Sequence, residues 1–109
     1  MSIRIVNLRN VQAKPGEIVI RCDRKTVVGN PFFMHDESER DKVCDQYEAY
    51  FQEQVKVQGS DFRKYVTFIY QKALKQDVAL ACWCAPKRCH TETIKRFIEK
   101  CLAVSKVKN

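Results

Sequence analysis

The chain has 109 residues, of which 45% are hydrophobic and 30% charged, and its formal net charge at pH 7 is +7. This length and balance exclude a multi-domain or extensively disordered protein, and no apolar run approaches the roughly 20 residues that a membrane-spanning helix needs. Because the first residues also lack the apolar core of a signal peptide, we expect a cytoplasmic domain over residues 1–104, with a frayed basic tail at residues 105–109.

Two short segments rich in β-branched residues predict strands near the N-terminus. They run from Ile3 to Leu8 and from Ile18 to Cys22, and a turn signal, Lys-Pro-Gly at residues 14–16, separates them. β-branched residues in short runs are typical of strands. The two strands could pair as neighbours.

Residues 24–33 predict a shaped loop. Gly29 is expected to permit a positive φ, and Pro31 favours an extended conformation at Asn30. If this loop folds over the strand ends, Arg24 would contact an anion and Asn30 would hydrogen-bond a base or sugar. Alternatively, Asn30 satisfies its own backbone in a turn.

Apolar residues at helical spacing predict three helices. The first begins at Asp36 and ends near Gly59, the second begins at Ser60, and the third follows Pro86. Between the second and third, residues 78–84 are continuously apolar, as is typical of a central strand buried on both faces. The order of elements indicates a small single-domain α/β sandwich with a short, mostly parallel or mixed sheet and about three helices.

The segment ACWCAPKRCH, residues 81–90, carries three cysteines, a histidine and two cations. Cys82, Cys84, Cys89 and His90 supply the number of ligands that a tetrahedral zinc site requires. The spacing argues against zinc, because structural sites usually have two to four residues between paired ligands. No cofactor is therefore preferred, and zinc is the alternative, with Cys82 and Cys84 otherwise acting as small buried hydrophobic residues.

A second interpretation of this segment is an anion-binding helix start. Lys87 and Arg88 precede the third helix, whose free N–H groups and dipole favour a phosphate or carboxylate. Cys89 would there have a lowered pKa, and Cys89 or His90 is the candidate catalytic group. Trp83 would stack on a base, although packing in the core is its commoner role.

Several of these residues occur together in a known family. The pieces are Val6-Asn7, Arg24 before Gly29-Asn30-Pro31-Phe32, Arg40 with Tyr47 and Tyr50, and the segment from Leu80 to His90. Over residues 3 to 100 the chain resembles the short phage and bacterial proteins of the family called domain of unknown function 4326. Asp23 stands where a glycine is expected before the arginine, which leaves the conformation of the loop open, and Thr91 stands where a glycine often follows Cys-His. The resemblance implies one domain with one site built from both motifs.

Two functional hypotheses stay open at this point. In the first, the domain binds a nucleotide or related phosphorylated small ligand, with transfer or hydrolysis at a glycosidic or phosphate bond as the reaction to examine. Its ligand-binding residues would be Arg24, Gly29, Asn30, Trp83, Lys87 and Arg88. In the second, the domain is a non-enzymatic interaction module, such as a phage protein that binds a host protein or nucleic acid through its basic surface, with structural cysteines.

Overall fold

Three strands and three α-helices occur in the predicted order. The structure is a computed structural model that describes residues 2–108, with side chains described up to residue 105. In chain order the elements are β1 (Ile3–Asn7), β2 (Glu17–Arg21), a short 3₁₀ helix (Glu37–Glu39), α1 (Arg40–Val55), α2 (Asp61–Ala73), β3 (Asp77–Cys82) and α3 (Thr91–Lys108). The predicted α/β class is therefore confirmed.

The sheet is parallel, and β3 lies at its centre. The strand order is β1-β3-β2, with Leu80 of β3 aligned with Ile5 of β1 and Ile20 of β2. The sequence left the partners of β1 and β2 open; they do not pair with each other, and each pairs with β3. β3 is the most continuously apolar strand, and the central position is the one that buries both of its edges and both of its faces.

All three helices contribute to the core on one face of the sheet. Val78 and Leu80 of β3 point to this face, where they are fully buried. Around them pack the buried faces of the helices, which include Tyr47 and Phe51 of α1, Val66 and Ile69 of α2, and Ile94 and Ile98 of α3. Apolar residues at helical spacing thus mark the helix faces that cover the sheet.

The opposite face of the sheet carries small residues and one ion pair. Ala79 and Ala81 are fully buried there, beneath a segment that includes Leu8 and Val11. The side chain of Arg4 on β1 pairs with Glu17 on β2, with 2.8 Å between Nε and Oε2. Since β3 lies between these strands, the pair crosses the central strand. The small side chains of β3 leave room for it.

The helix ends agree in part with the predicted capping residues. The Asp36 carboxylate accepts from the Ser38 N–H, but it caps the 3₁₀ helix, and α1 itself ends at Val55, earlier than expected. Gly59, with φ +77°, occupies the turn that follows. The Ser60 hydroxyl accepts from the Arg63 N–H at 3.1 Å, so the predicted N-cap of α2 is confirmed.

The last helix, α3, is helical as far as Lys108, past the expected end of the domain at residue 104. The fraying expected for residues 105–109 stays a prediction, and Asn109 lies outside the described residues. Among the helices of residues 2–108, none is long and apolar enough to cross a membrane.

Neutralising Glu17 tests whether the ion pair across β3 holds the sheet together. Hydrogen bonding from Arg4 lowers the pKa of Glu17 from 4.5 to about 2. A depressed pKa in the folded state contributes stability that is present above pH 4.5 and is lost as pH falls towards 2. We expect Glu17→Gln to have a thermal midpoint several degrees below that of the parent chain at pH 7. The difference between the two midpoints should shrink towards zero near pH 2.

Thermal unfolding followed by circular dichroism across this pH range measures the effect. Glu53→Gln is the control, since Glu53 is exposed on α1. If the thermal midpoints of the parent chain and Glu17→Gln differ equally at both ends of this pH range, the ion pair between Arg4 and Glu17 does not account for the effect.

Candidate functional site

The candidate site lies where the carboxyl ends of the three strands meet. β1 ends at Asn7, β2 is followed by Cys22, and β3 ends at Cys82. In parallel α/β sheets, ligands bind in the crevice at this edge, as expected from the sequence. The site thus combines the loop after β2 with the segment after β3.

Three cysteines come together directly after β3. The strand ends at Cys82, and the Lys87 N–H donates to the Cys84 carbonyl at 2.9 Å, which closes a turn and reverses the chain. Cys89 thereby returns to Cys82, with 2.6 Å between the two sulfurs. The Sγ atoms of Cys82, Cys84 and Cys89 all lie within 4.8 Å of one another, so they could hold a metal ion.

The premise of the spacing argument, that these cysteines cannot come together around an ion, is therefore wrong. It assumed that Cys82 and Cys84 both lie in an extended strand, where one intervening residue cannot curl around an ion. In the structure Cys84 lies beyond the strand, and the turn supplies the curl.

Asn7 fixes the position of this turn. Its Nδ2 donates to the carbonyls of Trp83 at 3.1 Å and Ala85 at 2.9 Å, while its Oδ1 accepts from the Arg9 N–H. One amide side chain at the end of β1 thus orients the backbone between Cys82 and the turn. Sequence reasoning gave Asn7 no role. The signal in the sequence that could have indicated this role is the position of Asn7 at the end of β1.

His90 is buried, and hydrogen bonds fix its orientation. Its Nε2 lies 2.6 Å from the Cys22 carbonyl, which can only accept, so the proton is on Nε2. Burial lowers the pKa of His90, and its neutral Nδ1 faces Cys89 Sγ at 3.3 Å. His90 is not within 4.8 Å of all three sulfurs, so the predicted set of four ligands is brought together only in its three cysteines.

The three thiols differ in acidity. Hydrogen bonds from Cys82 and Cys89, together with Arg40, lower the pKa of Cys84. The same contacts raise the pKa of Cys89 well above its usual range, and burial adds to this effect. The expectation that Cys89 has a lowered pKa is therefore wrong, because its sulfur is buried against two other sulfurs.

Two more polar groups face the cluster from α1 and α3. The Arg40 guanidinium lies beside Cys84, donates to the Arg88 carbonyl at 2.8 Å and has a side chain only 15% exposed. The Thr91 hydroxyl is fully buried near Cys89, and within residues 2–108 it lacks a hydrogen-bond partner. Sequence reasoning placed neither group beside the cysteines. For Arg40 no local signal existed, because it is more than forty residues distant along the chain.

The cysteine cluster borders a cleft of about 500 Å³. Parts of the segments 23–34 and 82–90 line it together with the first turns of α1; Gly29 and Lys87, predicted to bind the ligand, are not among the lining residues. Trp83 at its rim is 56% exposed, so the packing role expected for this residue is wrong. The Trp83 indole N–H donates to Asp23 at 3.2 Å, and the ring of Phe33 is 73% exposed nearby. The cleft thus has a sulfur-rich inner end and an aromatic rim.

The loop after β2 is held together internally. The Asn30 Oδ1 accepts from the Phe32 N–H at 2.9 Å, as in the turn interpretation, and its Nδ2 donates to the Val43 carbonyl. Arg24 donates to the carbonyls of Asn30 and Phe32, and its guanidinium lies 4.4 Å from the centre of the Phe33 ring. Asn30 therefore shapes the loop, whereas Arg24 keeps an unneutralised charge at the cleft.

Gly29 and Asp23 differ from what the sequence led us to expect. Gly29 does not have a positive φ. A side chain there would place Cβ 2.5 Å from Arg24 Cα and 2.6 Å from the Asp23 carbonyl oxygen, so glycine is needed for close approach. Asp23 replaces the expected glycine without strain, since positive φ values among the described residues occur only at glycines.

The cations before α3 are engaged with carboxylates. Lys87 pairs with Glu37 at 3.2 Å, and Arg88 pairs with Asp41 and Asp45 of α1. The N–H of Cys89 donates to the Glu92 side chain. An anion at this helix start would compete with these groups, and its binding there stays a prediction.

The fold and the site define a small parallel α/β domain with a cysteine cluster at its strand ends. The family model described as domain of unknown function 4326 matches residues 6–100, and the chain belongs to this family. The resemblance noted in the sequence is thus confirmed. A search of curated proteins and a search of solved structures found no match.

Substituting Gly29 tests whether close backbone approach shapes the loop. We expect Gly29→Ala to lower the free energy of unfolding by about 2 kcal/mol or more, because the added methyl group meets backbone atoms that cannot yield. Gly59→Ala is the comparison: it has a positive φ but nothing within 4 Å of the new Cβ, and should cost only about 1 kcal/mol. Urea unfolding of both variants measures the difference, and equal costs would refute the argument.

Proposed function

We propose that the domain binds one zinc ion through the thiolates of Cys82, Cys84 and Cys89. The observation that carries this proposal is the convergence of three sulfurs within 4.8 Å in a part of the chain that has no disulfide. Thiolate sulfur is the donor type that zinc and other soft metals prefer. This set of three sulfurs agrees with the zinc alternative drawn from the sequence, apart from His90.

The surroundings of the sulfurs support a charged metal centre. A divalent ion on three thiolates carries a single net negative charge. The Arg40 guanidinium beside Cys84 pairs with Glu37, which Lys87 shares, so these three side chains keep one positive charge that offsets it. The buried Thr91 hydroxyl, otherwise without a partner among the described residues, would donate to a Cys89 thiolate. Hydrogen bonds of this kind commonly support metal ligands.

The proposed centre has three protein ligands and a fourth position directed to the cleft. All three cysteines line the cleft, where Cys82 and Cys89 are buried and Cys84 is only partly buried. Three protein ligands with one open position are typical of catalytic zinc sites, and four protein ligands of structural ones. The proposed role is therefore a metal centre that meets a ligand in the cleft.

Metal content and cobalt substitution test the proposal. We expect about one zinc ion per chain by elemental analysis of protein purified without a histidine tag. Replacement by Co²⁺ should give the near-ultraviolet charge-transfer absorption of cobalt thiolates, with the visible bands of tetrahedral coordination. Cys82→Ser, Cys84→Ser and Cys89→Ser should each weaken binding by more than about 100-fold, beyond the effect of losing an outer hydrogen bond.

Cys101→Ser is the matched control, because Cys101 is also partly buried but lies on α3, outside the cluster. It should bind metal like the parent chain. His90→Gln separates the three-ligand centre from the four-ligand alternative: cobalt spectra should keep their thiolate absorption and coordination geometry. Metal-free protein that takes up no Zn²⁺ or Co²⁺ under reducing conditions would contradict the proposal.

A second candidate function, binding of a nucleotide or a related phosphorylated ligand, is supported by the rim of the cleft. Trp83 and Phe33 expose aromatic rings there, and a nucleobase stacks on such rings. Arg24 has its guanidinium over Phe33 and donates only to backbone carbonyls, so its charge is available to a phosphate. Of the residues predicted to hold an anion, Lys87 and Arg88 are the less suitable, since carboxylates already neutralise them.

The fluorescence of Trp83 reports directly on this candidate, because it is the single tryptophan of the chain. We expect saturable quenching by one mononucleotide and a rise in the thermal midpoint at saturation. Arg24→Gln should weaken this binding by about tenfold, and Lys42→Gln, an exposed cation of α1, should not change it.

Absence of quenching by all nucleoside mono-, di- and triphosphates would remove the nucleotide candidate. Binding only to bulk DNA or RNA, with an affinity that falls steeply with salt, would instead indicate the interaction module that the net charge of +7 also suggests.

A further inference from the structure

The three sulfurs of the cluster differ in how they meet solvent. All three cysteines line the cleft, but Cys82 and Cys89 are only 1% and 3% exposed, whereas Cys84 is partly exposed. A reagent entering the cleft therefore meets Cys84 first.

The buried pair is positioned for a covalent bond. The sulfurs of Cys82 and Cys89 are 2.6 Å apart, and a disulfide needs about 2.05 Å, so a small side-chain movement closes it. Cys84 lies within 4.8 Å of both sulfurs. An accessible thiol beside a buried pair of thiols is the arrangement that thiol-disulfide exchange requires.

We propose that the cluster is an oxidation site for hydroperoxides, in which Cys84 is the entry point and a disulfide between Cys82 and Cys89 is the product. The assignment concerns the reduced, metal-free chain. It does not depend on the proposed zinc site, but oxidation and metal binding use the same sulfurs and exclude each other.

The chemistry balances in three steps. The Cys84 thiolate attacks one oxygen of the hydroperoxide, breaks the O–O bond and becomes a sulfenic acid, while the leaving oxygen takes a proton and departs as water or alcohol. The Cys89 thiol then displaces the hydroxyl group as water and forms a disulfide with Cys84. Finally, the Cys82 thiolate attacks the Cys89 sulfur and releases Cys84 as a thiolate. Overall, two thiols are oxidised and one hydroperoxide is reduced.

The other three cysteines do not have this arrangement. Cys22 and Cys44 are buried, and Cys101 is partly buried on α3. Among the described residues, the group of mutually close sulfurs contains only Cys82, Cys84 and Cys89. Oxidation is therefore expected to be selective for the cluster.

Peptide mapping after peroxide treatment tests the inference. The chain is reduced, stripped of metal with a chelator, exposed to graded hydrogen peroxide and alkylated. Trypsin separates residues 76–87, which hold Cys82 and Cys84, from residues 89–95, which hold Cys89. We expect a disulfide-linked peptide pair, with fragmentation around Trp83 placing the bond on Cys82. Cys22, Cys44 and Cys101 should remain alkylated.

Variants identify the entry point. Cys84→Ser and Cys84→Ala should both slow disulfide formation by at least about tenfold. A double variant, Cys82→Ser with Cys89→Ser, leaves no neighbouring thiol in the cluster and should instead accumulate a sulfenic acid on Cys84 that dimedone traps. Cys101→Ser is the matched control and should react like the parent chain, and far-ultraviolet circular dichroism confirms that each variant is folded.

Two outcomes would overturn the inference. One is oxidation of Cys84→Ser at the parental rate, and the other is oxidation of Cys22 or Cys101 before the cluster. Metal binding measured on the same reduced samples keeps the two proposals separate. A chain that binds zinc and resists peroxide when stripped of metal would remove only the oxidation site. A chain that forms the disulfide and never takes up metal would remove only the zinc site.

Discussion

The site depends on one buried hydrogen bond, from Nε2 of His90 to the carbonyl of Cys22 at 2.6 Å. It joins the end of the edge strand β2 to the start of α3, so it links the two segments that build the cleft. The Tyr47 ring packs edge-on against the imidazole with 4.9 Å between centres, and its hydroxyl donates to the Val28 carbonyl in the same loop. Because a buried carbonyl needs a donor, His90 has little freedom to turn, and Cys89 beside it is held in place.

Local sequence patterns predicted most elements but not their arrangement. The continuous apolar run of residues 78–84 predicted a central strand buried on both faces, and β3 is that strand, although it ends at Cys82. The sequence did not fix the partners of β1 and β2, because parallel pairing with a strand sixty or more residues later leaves no local signal. Gly29 illustrates the same limit, since its close neighbours are backbone atoms of residues 23 and 24, brought near by the fold of the loop.

The cysteine-rich segment was recognisable from the sequence, but the backbone geometry that brings its sulfurs together was misjudged. Spacing rules for zinc ligands assume a particular backbone between them, and the argument took residues 78–84 as one strand. Ending β3 at Cys82 places Cys84 in a turn that Asn7 holds from the neighbouring strand. The side-chain amide of Asn7 supplies the donors that two carbonyls in the turn need. This role appears only when the parallel sheet places β1 beside β3.

The cations around the cleft differ in whether carboxylates neutralise them. Arg88 and Lys87 are neutralised by carboxylates of α1 and the 3₁₀ helix, so their main effect is to fasten the start of α3 against the rest of the domain. Arg24 remains unneutralised at the aromatic rim, and Arg40 faces the sulfur of Cys84 at the inner end. The rim of the cleft therefore combines an unneutralised cation with exposed aromatic rings, whereas its inner end combines three thiols with Arg40.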